Sequence, residues 1–433
     1  MRSSGLEGRG YAVLDVLVWR GLPILLLALV ISLVKPAHAN PIFARQTGFS
    51  CNTCHFQHVP KLNAFGRRFK AGGYSLTTQP VIDGEGLSLP PTLNAALKLS
   101  AQYTDERTLP QDLPGKIEFP PHHGAALLVG GRLAEGVGGF VEYDGALGTG
   151  KVAFTHAAPW GIGTAGVAPF VTDMSGPMTG FELLNTGVYD MDKPFGRAAS
   201  PVTGANSNLN LATHATGMSL YLANDQWNVA YTPFAATDAG QTTGLNLSQY
   251  ARAAFTPNLF GWDLGLGAGY VWGATSIAST STTPSMPGMP GMAMYRIQHA
   301  DEAPAQAAAT IRTRAWFVDA QAQGRLFDHD LGLYAVYGVG DEHGTENLYG
   351  GIDVRPVGWG VNAEYSLWPR LGLLATYGQY DNGDPYDNGY DQTGVGLSFA
   401  LTQNILLEPM YEVFTGDSRP VDNRFTFRML TVF

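Results

Sequence analysis

From about Pro90 to Phe433 apolar and polar positions alternate with a period of two, the repeat of a strand with two unlike faces. Leu93, Ala95, Leu97, Leu99, Ala101 and Tyr103 alternate with Asn94, Ala96, Lys98, Ser100 and Gln102. At the far end Phe425, Phe427, Met429, Thr431 and Phe433 alternate with Arg424, Thr426, Arg428, Leu430 and Val432. Leu331 to Val339, Leu371 to Tyr380 and Val395 to Phe399 read the same way. Two arginines on one face of the last segment are intolerable against lipid, so that face is expected to line a wet interior while the other meets a bilayer.

The connections alternate in length. Short turns are expected at Glu135-Gly136, Asn224-Asp225, Pro257 to Gly261, Gly324 to Asp330, Trp368-Pro369-Arg370 and Leu401 to Asn404. Longer polar stretches lie between them, among them Thr104 to His122, Gly187 to Ala212, Ala274 to Thr310 and Asp381 to Tyr390. Short turns inside and long loops outside is the pattern of an outer-membrane barrel. With Pro159 to Pro177 taken as a further inner connection and Gly145 to Gly150 as an outer turn, parity predicts about sixteen strands. Breaks at Arg355-Pro356 and across Val167 to Asp173 would make eighteen. The expected fold is all-β, a transmembrane antiparallel β-barrel over residues 90–433 preceded by a short helical segment.

Composition sharpens this picture: only 14% of the 433 residues are charged, while 54 Gly, 19 Tyr and 8 Trp supply turns and interfacial girdles. Gly21 to Val34 is an apolar run behind Arg20, and Ala37-His38-Ala39 follows as a small-x-small site. Residues 1–39 therefore read as a Sec-type signal peptide cleaved near Ala39, and export together with the barrel pattern points to the bacterial outer membrane. The net charge is −10, and removing a leader with four basic and two acidic residues takes it to −12, which excludes nucleic acid as a partner.

Residues 40–89 are different in kind. Arg45, Lys61, Arg67, Arg68 and Lys70 have no acid among them, and Phe56, Val59, Leu62, Phe65 and Phe69 recur at steps of three or four. That spacing predicts a helix that begins near Cys51 to His55 and has one apolar face. Cys51-Asn52-Thr53-Cys54-His55 holds the only two cysteines of the chain. Two thiols and an imidazole so spaced can bond one haem c covalently through Cys51 and Cys54, with His55 as the proximal axial ligand of the iron. A disulfide would leave His55 unexplained, and zinc needs two more soft ligands where His58 supplies at most one. A basic haem segment of this size is expected to plug the lumen, facing acids such as Glu142, Asp144, Glu364 and Glu412.

These features resemble the fused outer-membrane monohaem cytochrome c-porin family, whose characterised members oxidise ferrous iron at the cell surface. The resemblance rests on Ala44-Arg45-Gln46-Thr47-Gly48, on Cys51 to His55, on Asn63-Ala64-Phe65-Gly66 and on the barrel pattern to Phe433. It implies single electrons passing from an extracellular donor, Fe(II) foremost, through the haem to a periplasmic cytochrome or cupredoxin. Two other readings stand beside it: a solute-diffusion porin with a haem-bearing plug, and a haem peroxidase with an open sixth position.

The distal ligand is open. No methionine lies between Met1 and Met174, and His58 falls on the proximal side, so His122, His123, Met174 and Met178 are candidates of equal standing. In the outer loops Met286, Met289, Met292 and Met294 form a thioether set suited to Cu(I), unless they are only a flexible Pro/Gly/Met stretch. Asp341-Glu342-His343 is the first candidate for a cation site outside.

Overall fold

The computed structural model describes residues 42–59, 61–85, 87–108, 111–112, 114–120, 124–143, 148–172, 214–237, 247–278, 308–312, 314–340, 357–381 and 389–433. Sixteen long strands stand out among them. The first eight are β1 (Ala95–Thr108), β2 (Ala125–Ala134), β3 (Val137–Tyr143), β4 (Gly148–Ala157), β5 (Thr164–Thr172), β6 (His214–Ala223), β7 (Trp227–Thr237) and β8 (Ser248–Phe255). The second eight are β9 (Trp262–Trp272), β10 (Ala315–Leu326), β11 (His329–Gly340), β12 (Val357–Trp368), β13 (Leu371–Asp381), β14 (Gly389–Thr402), β15 (Ile405–Thr415) and β16 (Asn423–Val432). Each pairs antiparallel with the next, and β16 returns to β1 through pairs such as Phe427 with Tyr103, so the sheet closes on itself.

Alternation decides which way each side chain points. In β15 the side chains of Glu408, Met410, Glu412 and Phe414 are buried, while Tyr411 and Val413 are exposed. In β16 Thr426 and Arg428 are buried and Phe425 and Phe427 exposed. The same rule leaves Leu97, Val129, Phe154, Val229, Leu266, Val318, Leu333, Leu373 and Val395 exposed on the outside. Charges inside and a ring of large apolar side chains outside invert the pattern of a water-soluble protein. The closed ladder leaves no unpaired edge, and the apolar ring sits in lipid: the chain is a barrel of the bacterial outer membrane.

One connection differs from the sequence expectation. The inner turn after β4 is only Ala158–Gly163, not Pro159 to Pro177, and Val167 lies within an unbroken β5. Gly163 makes so tight a turn possible: its φ is +142°, and a Cβ there would collide with the Ala223 carbonyl. β12 starts at Val357, and Arg355-Pro356 lies outside the described residues. The long strands of the described barrel number sixteen.

Three short helices precede the barrel: α1 (Ile42–Thr47), α2 (Cys51–Cys54) and α3 (Ala64–Ala71). They lie inside it, at the end that carries the short turns. Ile42 packs with inward-facing Ala96, Ala126 and Leu128 of β1 and β2, and Tyr221 of β6 donates its hydroxyl to the Ala71 carbonyl at 2.7 Å. The expected helix forms only from Ala64 onward, as α3, and not over Phe56 to Leu62. Here the chain instead turns back on itself, with His55 paired to Leu62 and a Phe56 N–H to Lys61 carbonyl bond of 2.8 Å. Gln57 at φ +62° breaks any helical path there, and Pro60 in the sequence cannot supply a helical N–H. Asn63 then starts α3 as its N-cap, accepting from Gly66 N–H at 2.9 Å.

The candidate functional site in the lumen

α2 is a single turn, which brings the thiols of Cys51 and Cys54 to neighbouring positions three residues apart. They are not joined as a disulfide and are half-buried. Asn63 ties this turn to α3: its amide N–H₂ donates to the Thr53 carbonyl at 3.0 Å and its backbone N–H to the Cys54 carbonyl at 3.0 Å. Gly66 completes the joint, because a Cβ there would collide with the Cys54 carbonyl. Burial pushes both thiols above their ordinary value, so each is a protonated S–H at neutral pH. Two unlinked thiols one turn apart, with an imidazole next in sequence, are the donor set that a covalently held haem requires.

The loop after His55 is fastened to the barrel wall. Gln57 Nε2 donates to the carbonyls of Glu364 at 3.0 Å and Asp330 at 3.3 Å and to Ser366 Oγ at 3.1 Å. His58 Nε2 lies 3.0 Å from both carboxylate oxygens of Glu364, and Lys61 forms an ion pair with the same carboxylate. From the barrel side Ser398 Oγ donates to Glu364 Oε1 at 2.6 Å. Glu364 is 2% exposed and Lys61 5%. Burial, with the Lys61 charge adding to it, holds the His58 imidazole down at about 3. Burial also draws the Lys61 ammonium down to about 7, against the opposing pull of Glu408.

The opposite flank is apolar. Phe43 of α1 stacks on Tyr74 with ring centroids 5.2 Å apart, meets Phe69 of α3 edge-on at 5.3 Å, and reaches Phe140 of β3 at 6.0 Å. Phe69 is therefore spent within this cluster, while Phe65 packs on Phe49; the apolar spacing read as one helical face serves two separate contacts. Gly138 of β3 lets the chain come close, since a Cβ there would collide with the Gly73 carbonyl. Gln46 Nε2 donates to the Gly130 carbonyl at 2.7 Å, and Arg132 donates to Ser75 Oγ at 3.2 Å.

Basic residues of the segment do meet barrel acids, though only partly those expected. Glu364 takes Lys61, but Glu142 pairs with Lys98 and Glu412 faces Arg424 at 3.9 Å, both within the wall. Arg67 pairs instead with Asp263 at 2.6 Å and Arg68 with Asp225 at 3.1 Å, and both acids adjoin inner turns. Asp263, Gln57 and Tyr221 were not singled out by the sequence, and Asp225 only as part of a short turn. The one usable signal was an acid beside a short inner turn, at the level where the segment ends.

His122, His123, Met174, Met178, Asp144, the leader, the Met286, Met289, Met292 and Met294 loop and Asp341-Glu342-His343 lie outside the described residues. Among the described residues no group of three or more His, Cys, Asp or Glu could hold a metal ion.

No family model matches the chain, and no curated protein matches its sequence. Solved structures do. OprB of Pseudomonas putida at high pH is similar with a TM-score of 0.51 at 10% identity, over 78% of this chain and 94% of that one. OmpT of Vibrio cholerae gives 0.49 at 9% over 82% and 100%, and Salmonella typhi OmpF in complex with daunomycin 0.47 at 12% over 82% and 100%. The likeness to OprB is one of fold: the chain is a porin-like outer-membrane barrel.

Proposed function

We propose that the protein passes single electrons across the outer membrane through one haem c held in the barrel lumen on Cys51, Cys54 and His55. The observation that carries this reading is the position of the Cys51–His55 turn inside the barrel, fixed by Gln57 and Lys61 to inward-facing Glu364. A bound haem would supply a one-electron iron couple at that place. Cys51 and Cys54 would hold the group through two thioether links. The rest of the work belongs to this chain. His55 offers the proximal ligand, Asn63 and Gly66 hold the thiol turn on α3, and the buried ion pairs keep the segment across the lumen.

The apolar band of such a barrel is about 25 Å tall, more than one haem spans. The donor therefore enters from the outside, and the acceptor meets the segment at the end with short turns. Fe(II) as donor and a small periplasmic cytochrome or cupredoxin as acceptor follow from the resemblance to the cytochrome-porins, as does the oxidase-like activity. Stopped-flow mixing of the purified holoprotein with Fe(II) across pH tests this: reduction of the haem is expected, and its absence at every pH removes iron as donor.

A second reading keeps the same residues and changes the traffic. A sixteen-stranded barrel leaves an aqueous lumen, so the segment could be a plug in a solute pore. Solute flux into liposomes through protein whose segment stays docked would favour the pore; a tight barrel favours the conduit.

A further inference from the structure

We infer that Glu364 of β12 positions the proximal His55 and, together with Lys61, sets the reduction potential of the haem; this rests on the haem reading above. The Gln57–Lys61 loop is rooted on the axial residue itself. His55 pairs with Leu62, and the Phe56 N–H bonds the Lys61 carbonyl at 2.8 Å, so the backbone on either side of the loop is the backbone that carries the imidazole. Within it three successive polar side chains converge on one wall residue. Gln57 grips the Glu364 carbonyl at 3.0 Å, His58 lies 3.0 Å from its carboxylate, and Lys61 forms the ion pair. Gln57 holds this grip at φ +62°, a left-handed backbone uncommon for a residue with a Cβ. Ser398 fixes the carboxylate from the other side at 2.6 Å. A displacement of Glu364 is thus transmitted to His55 through a loop of few residues.

The charges add a second effect. A buried anion near an iron favours its oxidised state and a buried cation its reduced state, and low polarity carries both further than water would. Glu364 and Lys61 act with opposite sign from one place. The wall beyond holds Glu408 and Arg428 as a pair of their own, with Arg428 Nε donating to Glu408 Oε2 at 2.9 Å. A loop that were merely a mechanical clamp would not show the difference of sign.

The test uses the full-length holoprotein in detergent, produced in a host that matures c-type haem, with midpoint potentials read by spectroelectrochemical titration at pH 6. Glu364→Gln should raise the potential, Lys61→Gln should lower it, and Lys61→Arg, which keeps the charge, should stay near the parent. Shifts of the same sign in the first two, or no shift in either, overturn the inference while leaving a haem-bearing conduit intact. If Glu364→Gln does not assemble, Lys61→Gln decides alone: a lowered potential supports the inference, and an unchanged or raised one overturns it. A parent chain that carries no covalent haem overturns both this inference and the haem reading.

Discussion

The two flanks of the plug are held by opposite physics. On the β3 side Phe43, Phe69 and Tyr74 pack on Phe140, a contact with little directional demand that any rings of the right size would make. On the β12 side Gln57, His58 and Lys61 meet Glu364, where each bond fixes an angle and a misplaced partner leaves a buried charge alone. Both flanks keep the plug in the barrel. The second also fixes how the Cys51–His55 turn faces the lumen. A tolerant anchor paired with a strict one lets the segment dock strongly without losing its orientation.

The sharpest way to break this contrast is Glu364→Leu, which strands the buried Lys61 ammonium and should weaken docking at pH 6 by about 3–5 kcal/mol. Protease cleavage within residues 42–79, followed in isolated outer membranes, should accelerate markedly. Phe43→Ala attacks the tolerant flank and should cost about 2–3 kcal/mol, because the ring is only partly buried. Cleavage should rise less, and the visible spectrum of any haem that remains docked should not change; a changed spectrum would erase the division of labour. Proton linkage gives a smaller effect. Lys61 is lowered to about 7 from 10.5, so between those values the free segment binds one proton more than the docked one. Docking should therefore strengthen as pH rises through that window and be flat below it, a trend readable from cleavage rates at pH 6, 8 and 10. Least of all should follow from Asp225→Asn. Its pair with Arg68 is 69% and 57% exposed, and its loss should cost less than about 1 kcal/mol, within the scatter of the same assay.

Much of this was legible in the chain because the signals are local. The alternation around Lys98 and around Arg428 reports one strand at a time, and the thiol motif is complete within five residues. Short turns such as Asn224-Asp225 announce themselves by composition. What escaped depends on closure of the barrel. Glu364 could be read as an inward acid, but its bond to His58 spans 306 residues of sequence and exists only once β12 stands opposite the plug. Arg67 found Asp263 for the same reason. The misplaced helix had another cause: Phe56, Val59 and Leu62 fall at helical spacing by coincidence, while the His55 to Leu62 pairing and the left-handed Gln57 turn that stretch back on itself. The β5 start was missed because Gly163 closes its turn in fewer residues than the flanking prolines suggested.

The pairing of β16 with β1 has a consequence for how the molecule is made. It joins the two ends of the barrel sequence, so it closes the largest loop of any strand contact and is favoured to form last. The plug precedes β1 directly and lies within the ring, so this final zipping encloses the chain's own beginning. The ring then keeps its own plug, as a ship is built inside its bottle by raising the glass around it.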